Sequence, residues 1–428
     1  MSSEVFFYAD NSVYNFSTLM NTSSLDKYGC YALLLLLSVN FLNYIDRQIL
    51  YAVFPLIKDD FGLTDTSLGF LGSAFMLCYM VSAPVLGWLG DRISRVKLAS
   101  AGLVVWSVAT SLTGIASRYH TLLLARVSVG IGEASFSTVS PGLLADYFPK
   151  EKRGRVLSLF YLAIPVGSAF GYILGGILGQ KFGWQTAFLM VGVPGVLLAI
   201  PLWFLNEPKR GGSEGKVTGD LMQSGGYSSL FSNRPFIINT LAMTAMTFAM
   251  GGLAQWVPTY LYRIHELDLV TANTYFGCIT VLAGITGTLI GGWLGDYFQR
   301  KTPKGYLLVS GWGFLFGAPM AAYALVTPTL SNCLAAIFFA EFFLFLNTGP
   351  LNTVIVNVTH PDVRARAFAV NIFIIHALGD AFSPTVLGWL SDLWGLRYSL
   401  LITPIAIIVA SFFCFLCGRF IGKDNTKI

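Results

Sequence analysis

The sequence predicts an all-α membrane protein: twelve transmembrane helices arranged as two pseudo-symmetric six-helix bundles. Three observations predict it. The chain is 54% hydrophobic and 11% charged, whereas soluble domains carry about 25% charged residues. Apolar runs of about 20 residues, the length that crosses a bilayer as a helix, recur along nearly the whole chain. Short motifs from the first half return in the second at a nearly constant offset. The net charge of +5 does not point to nucleic acid, because the basic residues follow the loops and do not form one patch.

Taken in order, residues 1–27 are polar. They lack the basic stretch, short apolar core and cleavage pattern of a secretory signal, so they read as an N-terminal cytoplasmic segment. Spans are expected at 28–54, 66–90, 97–116, 121–147, 154–179 and 185–205, which together make an N-terminal bundle over 28–205. Residues 206–234 contain EPKRGGSEGKVTGD and read as a cytoplasmic linker, being rich in Gly and charge. A second bundle over 235–420 follows, with spans at 235–262, 271–297, 305–326, 332–357, 366–391 and 396–420. Residues 421–428 are a cytoplasmic tail. The six cysteines all fall in apolar runs, and Cys414 and Cys417 read as packing residues, with no disulfide or metal implied.

An even number of spans puts both termini on one face. That face carries 20 of the 27 Lys and Arg residues. The other carries five (Lys58, Arg118, Lys181, Arg263 and Arg397), which leaves Arg47 and Arg126 inside the membrane. The positive-inside rule therefore places both termini in the cytoplasm. The N-x-S/T triplets at Asn15, Asn21 and Asn357 fall on that same face.

The halves repeat. Gly87-Trp88-Leu89-Gly90-Asp91 recurs 205 residues later as Gly292-Trp293-Leu294-Gly295-Asp296. Phe148-Pro149 with Arg153 and Arg155 is echoed by His360-Pro361 with Arg364 and Arg366. Gly167 is answered by Gly379. A duplicated six-helix unit with its loop motif after spans two and eight matches the parallel halves of a major facilitator transporter, which binds substrate at the midplane between them.

Few charges lie inside the spans, and four of them dominate the reading. Asp46 and Arg47 adjoin in the first span, with Asn40, Asn43 or Tyr44, and Arg47 on one face. In the fourth span Arg126, Gly130, Glu133 and Ser137 stand at i, i+4, i+7 and i+11, again one face. Four unpaired charges at about 3 kcal/mol each would cost about 12 kcal/mol, comparable to the whole stability of a domain, about 5–15 kcal/mol. They must pair, exchange protons or be hydrated, and we expect them to line one central cavity. An acid in low dielectric holds a proton more readily than in water, so Asp46 and Glu133 are the candidate proton carriers. The alternative is a static buried salt-bridge cluster, with Arg126 simply holding spans one and four together. Small neighbours (Gly132, Ala134, Ser135) leave room beside Glu133 for water and a partner helix.

Gly87 to Lys97 resembles the major facilitator loop motif. Gly87 and Gly90 would permit close helix contact, and Asp91 would accept from a helix N-terminus or a basic loop across the interface between halves. Arg92, Arg95 and Lys97 would hold the loop in the cytoplasm. With the second copy at Asp296 and Arg300, this reads as a gate whose charge contacts exist in one access state; the alternative is a topology anchor.

The second half is less charged. Glu341, Thr348 and Asn352 form a stripe at i, i+7 and i+11. His376 and Asp380 stand at i and i+4, where the histidine is either hydrogen-bonded in place or a proton relay. Gln255-Trp256-Val257-Pro258 is expected to break the seventh span or line the cavity. The candidate substrate-contacting set is Arg126, Asn43, Tyr44, Trp256, Glu341 and His376. A cavity charged on one side and aromatic on the other suits an amphiphile. No phosphate-binding loop is present, so ion coupling and not ATP would drive transport. The four histidines are scattered, with no metal-ligand spacing or nucleophile–base pair, so an enzyme is not expected, nor any cofactor or metal.

Asn43-Tyr44-Ile45-Asp46-Arg47, Gly130-Ile131-Gly132-Glu133-Ala134-Ser135-Phe136-Ser137 with Pro141, and Phe160-Tyr161 through Ala163-Ile164-Pro165-Val166-Gly167-Ser168 together resemble the Spinster family of the major facilitator superfamily. The resemblance is strong over the first half and generic over the second. It implies a transporter of sphingosine-1-phosphate, lysophospholipids or related amphiphilic anions, proton-coupled in bacterial members. It also implies that Asp46, Arg47 and Glu133 serve coupling and gating, and that Arg126 receives the anionic head group. The expected partners are the substrate, protons and membrane lipid, for a protein acting as a monomer. The short termini and linker resemble bacterial members, which implies an integral protein of a bacterial inner cell membrane. A small organic-anion or drug transporter of the same superfamily is the alternative.

Overall fold

A computed structural model describes residues 24–209, 227–359 and 363–421. Most of the expected N-terminal segment, the centre of the linker, the tail beyond Ile421, Asn15, Asn21 and His360-Pro361 lie outside the described residues. The described residues form helices and connecting turns. Among the described residues, twelve spans are long and apolar enough to cross a bilayer, from Lys27–Ala52 to Leu396–Gly418.

The first bundle comprises α1 (Ser24–Ala52), α3 (Asp65–Gly90), α4 (Arg95–Thr113), α5 (Tyr119–Tyr147), α6 (Lys150–Phe182) and α7 (Trp184–Trp203), with the short α2 (Phe54–Phe61) between α1 and α3. Polar residues mark the ends. Gly62 in a left-handed conformation (φ 61°) closes α2, Thr64 caps α3 by accepting from Ser67 N–H, and Ser94 caps α4 by accepting from Lys97 N–H. Helix α1 packs on α6, α3 on α5, and α4 on α5 and α7.

After α8 (Tyr227–Ser232), the second bundle runs through α9 (Arg234–Ile264), α10 (Leu269–Gln299), α11 (Gly305–Val326), α12 (Leu330–Phe345), α13 (Pro350–Val358), α14 (Arg364–Ile375), α15 (Ser383–Trp394), α16 (Leu396–Leu400) and α17 (Ile402–Gly418). The expected span 332–357 is two helices, α12 and α13, parted by a turn at Leu346–Gly349. The expected span 366–391 is interrupted by a π-helical turn, His376–Asp380. The seventh span, by contrast, is continuous: α9 runs unbroken through Pro258. The repeat shows in the backbone as well. Gly183 and Gly395 both take φ 84° at matching helix junctions, α6 to α7 and α15 to α16, 212 residues apart.

We call the face where α1 begins and α17 ends proximal and the opposite face distal. The halves meet through α3 against α15, α6 against α10, and α1 and α2 against α9. Contact is closest near the distal face. A Cβ on Gly69 would lie 2.2 Å from the Pro384 carbonyl oxygen, and one on Gly388 would lie 2.2 Å from that of Asp65. Only glycine lets these two backbones approach so far. Near the proximal face the repeated motif behaves differently: Cβ atoms built on Gly87 and Gly292 meet nothing within 4 Å.

Candidate functional site

The four intramembrane charges converge between α1 and α5. Arg47 Nε donates to Glu133 Oε2 at 2.7 Å. Arg126 Nη1 lies 3.8 Å from Asp46 Oδ1, an ion pair beyond hydrogen-bonding reach. Thr110 of α4 donates its hydroxyl to Asp46 Oδ2. Each arginine on one helix thus faces an acid on the other. Asp46, Arg126 and Glu133 are fully buried, while the Arg47 side chain keeps 14% of its surface.

Aromatic rings complete the setting. The Phe75 ring of α3 stands between the two guanidinium groups, 5.2 Å from Arg47 and 5.1 Å from Arg126. Tyr44 and Tyr79 hold Arg47 from other sides at 5.1 Å and 5.0 Å. Glycine makes this crowding feasible. A Cβ on Gly130 would lie 2.4 Å from the Phe75 carbonyl oxygen, and one on Gly132 would lie 2.7 Å from that of Gly102. The room expected beside Glu133 is therefore occupied by α4. The cluster sits inside the first bundle and does not line an open cavity; Arg47 alone reaches a surface.

The cluster is incompletely satisfied. Arg126 Nε, Nη1 and Nη2, Asp46 Oδ1 and Glu133 Oε1 find no hydrogen-bond partner within the protein. A guanidinium has five donors and no way to lose its charge, so those of Arg126 demand acceptors. Asn43 is buried beside Glu133, and Ser137 spends its hydroxyl on the Glu133 carbonyl at 3.0 Å. Asn40 donates to the Phe160 carbonyl at 2.9 Å and ties α1 to α6.

The second-half candidates are spread out. Glu341 is buried; its Oε1 accepts from Thr280 at 3.2 Å, and its Oε2 has no partner within the protein. It borders a small apolar cavity lined by Val257, Tyr260, Phe276, Leu325 and Ile337. The stripe it was expected to start does not continue, because Thr348 falls in the turn and Asn352 bonds back to its carbonyl at 2.8 Å. His376 Nδ1 pairs with Asp380 at 2.9 Å inside the π-helical turn. Trp256 lies in the core, fully buried, with its indole N–H on the Pro384 carbonyl at 3.1 Å and its ring 5.4 Å from Phe54. The cavity-lining residue of that stretch is its neighbour Val257.

The loop motif divides by role. Gly90 packs against Val139, whereas Gly87 faces open space. Asp91 is exposed at the end of α3, and Arg92 stacks 3.8 Å over Trp88. Arg95 bonds Asp146 at 2.7 Å and Glu207 at 3.1 Å, which straps the start of the linker to α4 and α5. Asp296 accepts from Tyr306 at 2.8 Å within its own half.

Sequence reasoning missed Thr110, Phe75 and Glu207. Thr110 sits in the polar run Ser107, Thr110, Ser111 of the third span, the one signal that could have exposed it.

The chain matches the family model of the Major Facilitator Superfamily over residues 36–384. It is 33% identical to Protein spinster of Drosophila melanogaster over 384 residues, which is 86% of this chain but 63% of that protein's length. It is 35% identical to the sphingosine-1-phosphate transporter SPNS2 of Xenopus tropicalis over 419 residues, covering 91% of this chain and 81% of that one. Its structure is similar to that of a bacterial homologue of the human lysosomal transporter Spinster in an inward-facing, unoccupied conformation. The TM-score is 0.86 at 26% identity, covering 94% of this chain and 99% of the other.

Proposed function

As an integral membrane transporter of the major facilitator superfamily, the chain belongs to its spinster family, and we propose that it moves a lipid-like amphiphilic anion by proton-coupled alternating access. The observation that carries this reading is Arg126: a fully buried guanidinium with three nitrogens unbonded within the protein, 3.8 Å from a carboxylate it does not grip. An anionic head group, or a carboxylate released by a neighbour, is what such a donor set accepts.

An apolar crevice supports the amphiphilic part. It measures about 290 Å³ and lies between α1 and α6, lined by Leu37, Phe41, Leu159, Leu162, Ala163 and Val166. Phe41 is one helical turn from Tyr44 and less than two from Arg47. Head and tail of one lipid-like molecule would thus find charge and apolar surface along a single helix.

Coupling follows from the two cross-pairs. A proton on Glu133 releases Arg47, and one on Asp46 releases Arg126; each event removes a tie between α1 and α5 and lets the halves rock. The Lys and Arg count favours both termini in the cytoplasm of a cell membrane. Asn43, Tyr44, Glu341 and His376 are the further candidate contacts. Trp256 would enter the site only in another conformation.

The test is uptake into proteoliposomes. Lysophospholipids and sphingosine-1-phosphate are expected to be carried and to compete with one another, while small hexuronates are not. Preferential uptake of the small anions would favour the organic-anion alternative. Glu133→Gln is expected to lose the stimulation by a pH gradient; full retention overturns the coupling role.

A further inference from the structure

A dense polar contact between the halves lies at the distal face and belongs to no part of the charge cluster. Asp65, in the first turn of α3, is almost fully buried. Its carboxylate accepts from Lys58 at 2.6 Å, from Arg263 at 2.8 Å and 2.9 Å, and from Ser391 at 2.6 Å. Meanwhile Asp392 of α15 accepts from the backbone N–H groups of Asp65 and Thr66, both at 2.8 Å, and from the Thr66 hydroxyl at 2.5 Å. The second half thus places an acid on the N-terminus of a first-half helix, where the unpaired N–H groups and helix dipole favour it. It also places a base, Arg263, on the first acid of that helix.

We propose that this assembly is a charge-balanced distal lock whose members exchange partners when the halves part. The bookkeeping of charge carries the argument. Lys58 and Asp65 both belong to the first half, while Arg263 and Asp392 both belong to the second. When closed, Asp65 binds both bases and Asp392 caps α3. When open, Asp65 keeps Lys58, Asp392 takes Arg263, and Thr64, which already accepts from Ser67 N–H at 3.2 Å, retains the cap of α3. No charge is stranded in either state. A lock of this kind closes firmly through several charge-assisted bonds yet opens without the cost of an isolated ion at the membrane surface. Arg263 and Asp392 already meet at the same residue, one on its side chain and one on its backbone, so the exchange needs no long journey.

This inference rests on alternating access, but not on the substrate or on protons, and its test involves neither. Spin labels at Ser117 and Thr329, exposed at the distal end of each half, report their separation in cysteine-free protein. Arg263→Gln and Asp392→Asn are each expected to raise the distally open population severalfold. Because the open state pairs these two residues, the double variant should open more than the product of the single effects, by roughly two- to fivefold, the range for an exposed ion pair. Asp268→Ala, which weakens the cap of α10 within one half and touches no member of the lock, should leave the distances unchanged. Unfolding of a variant is read separately from its melting curve, and Thr66→Val, which removes one bond to Asp392, gives a milder second probe that should open in the same direction. Unchanged distances in the variants, or a double variant that is simply multiplicative, overturn the proposal.

Discussion

Arg47 Nε lies 2.7 Å from Glu133 Oε2 and ties α1 to α5 at the heart of the first bundle. Glu133 has no exposed surface, whereas the Arg47 side chain keeps 14% of its own. One partner can therefore be reached from outside while the other cannot, an asymmetry suited to a pair that opens on demand.

Removing one partner should be worse than removing both. Arg47→Gln leaves a buried carboxylate without its cation, a change that costs on the order of 3 kcal/mol. The double variant Arg47→Gln, Glu133→Gln leaves two neutral amides and should recover at least half of that loss. Thermal unfolding of the four proteins in one detergent measures it.

Thr110 should matter for the chemistry of Asp46. Its hydroxyl is the donor to Oδ2, and a buried acceptor that loses its donor is destabilised by about 1–3 kcal/mol. Thr110→Val is expected to cut substrate uptake severalfold, and Thr110→Ser to restore most of it. Equal uptake by the valine and serine variants would show that the hydroxyl is idle.

Two glycines predict opposite outcomes from the same substitution. A methyl at Gly130 meets the Phe75 carbonyl oxygen at 2.4 Å, a backbone atom that cannot step aside. Gly130→Ala should lower stability by about 1–3 kcal/mol. Gly87→Ala meets nothing within 4 Å and should leave the melting temperature unchanged or slightly raised.

The linker strap should respond to acid with a defined sign. Burial pushes the Glu207 carboxyl up, but hydrogen bonds from Ser94 and from the Arg95 backbone and guanidinium outweigh it and hold the group below the usual carboxylate range. Its contribution is therefore complete above the ordinary glutamate value, ~4.3, and is lost as pH falls through the lower folded value. The melting difference between wild type and Glu207→Gln should be constant from about pH 8 to about pH 5 and vanish at lower pH. It should be small, because solvent screens the partly exposed pair.

Much of this was legible from residue order. Apolar runs and the offset repeat carry the helix count, since a membrane leaves few alternatives to a spanning helix. Asp46, Arg47, Arg126 and Glu133 stand out because ionised groups are rare where burial is expensive. Phe75 does not stand out, because one aromatic among many gives no sign of lying between two guanidinium groups. Trp256 was misleading for the related reason that a large polar-tipped ring serves a core as readily as a binding site. The breaks at Leu346–Gly349 and His376–Asp380 also escaped, as neither interrupts the hydropathy that defines a span. The lock at Asp65 was hidden among ordinary span-end polar residues until the fold brought α9 and α15 against it.

The claim that the buried pairs of α1 and α5 govern motion is tested most directly by distances at the proximal face. Spin labels at Lys97 and Lys301, exposed in opposite halves, would follow the conformational equilibrium of cysteine-free protein from about pH 8 to about pH 5.5. The wild-type distance distribution should shift with pH, and Asp46→Asn with Glu133→Gln should give one distribution at every pH. A double variant that shifts with pH as the wild type does would contradict the account.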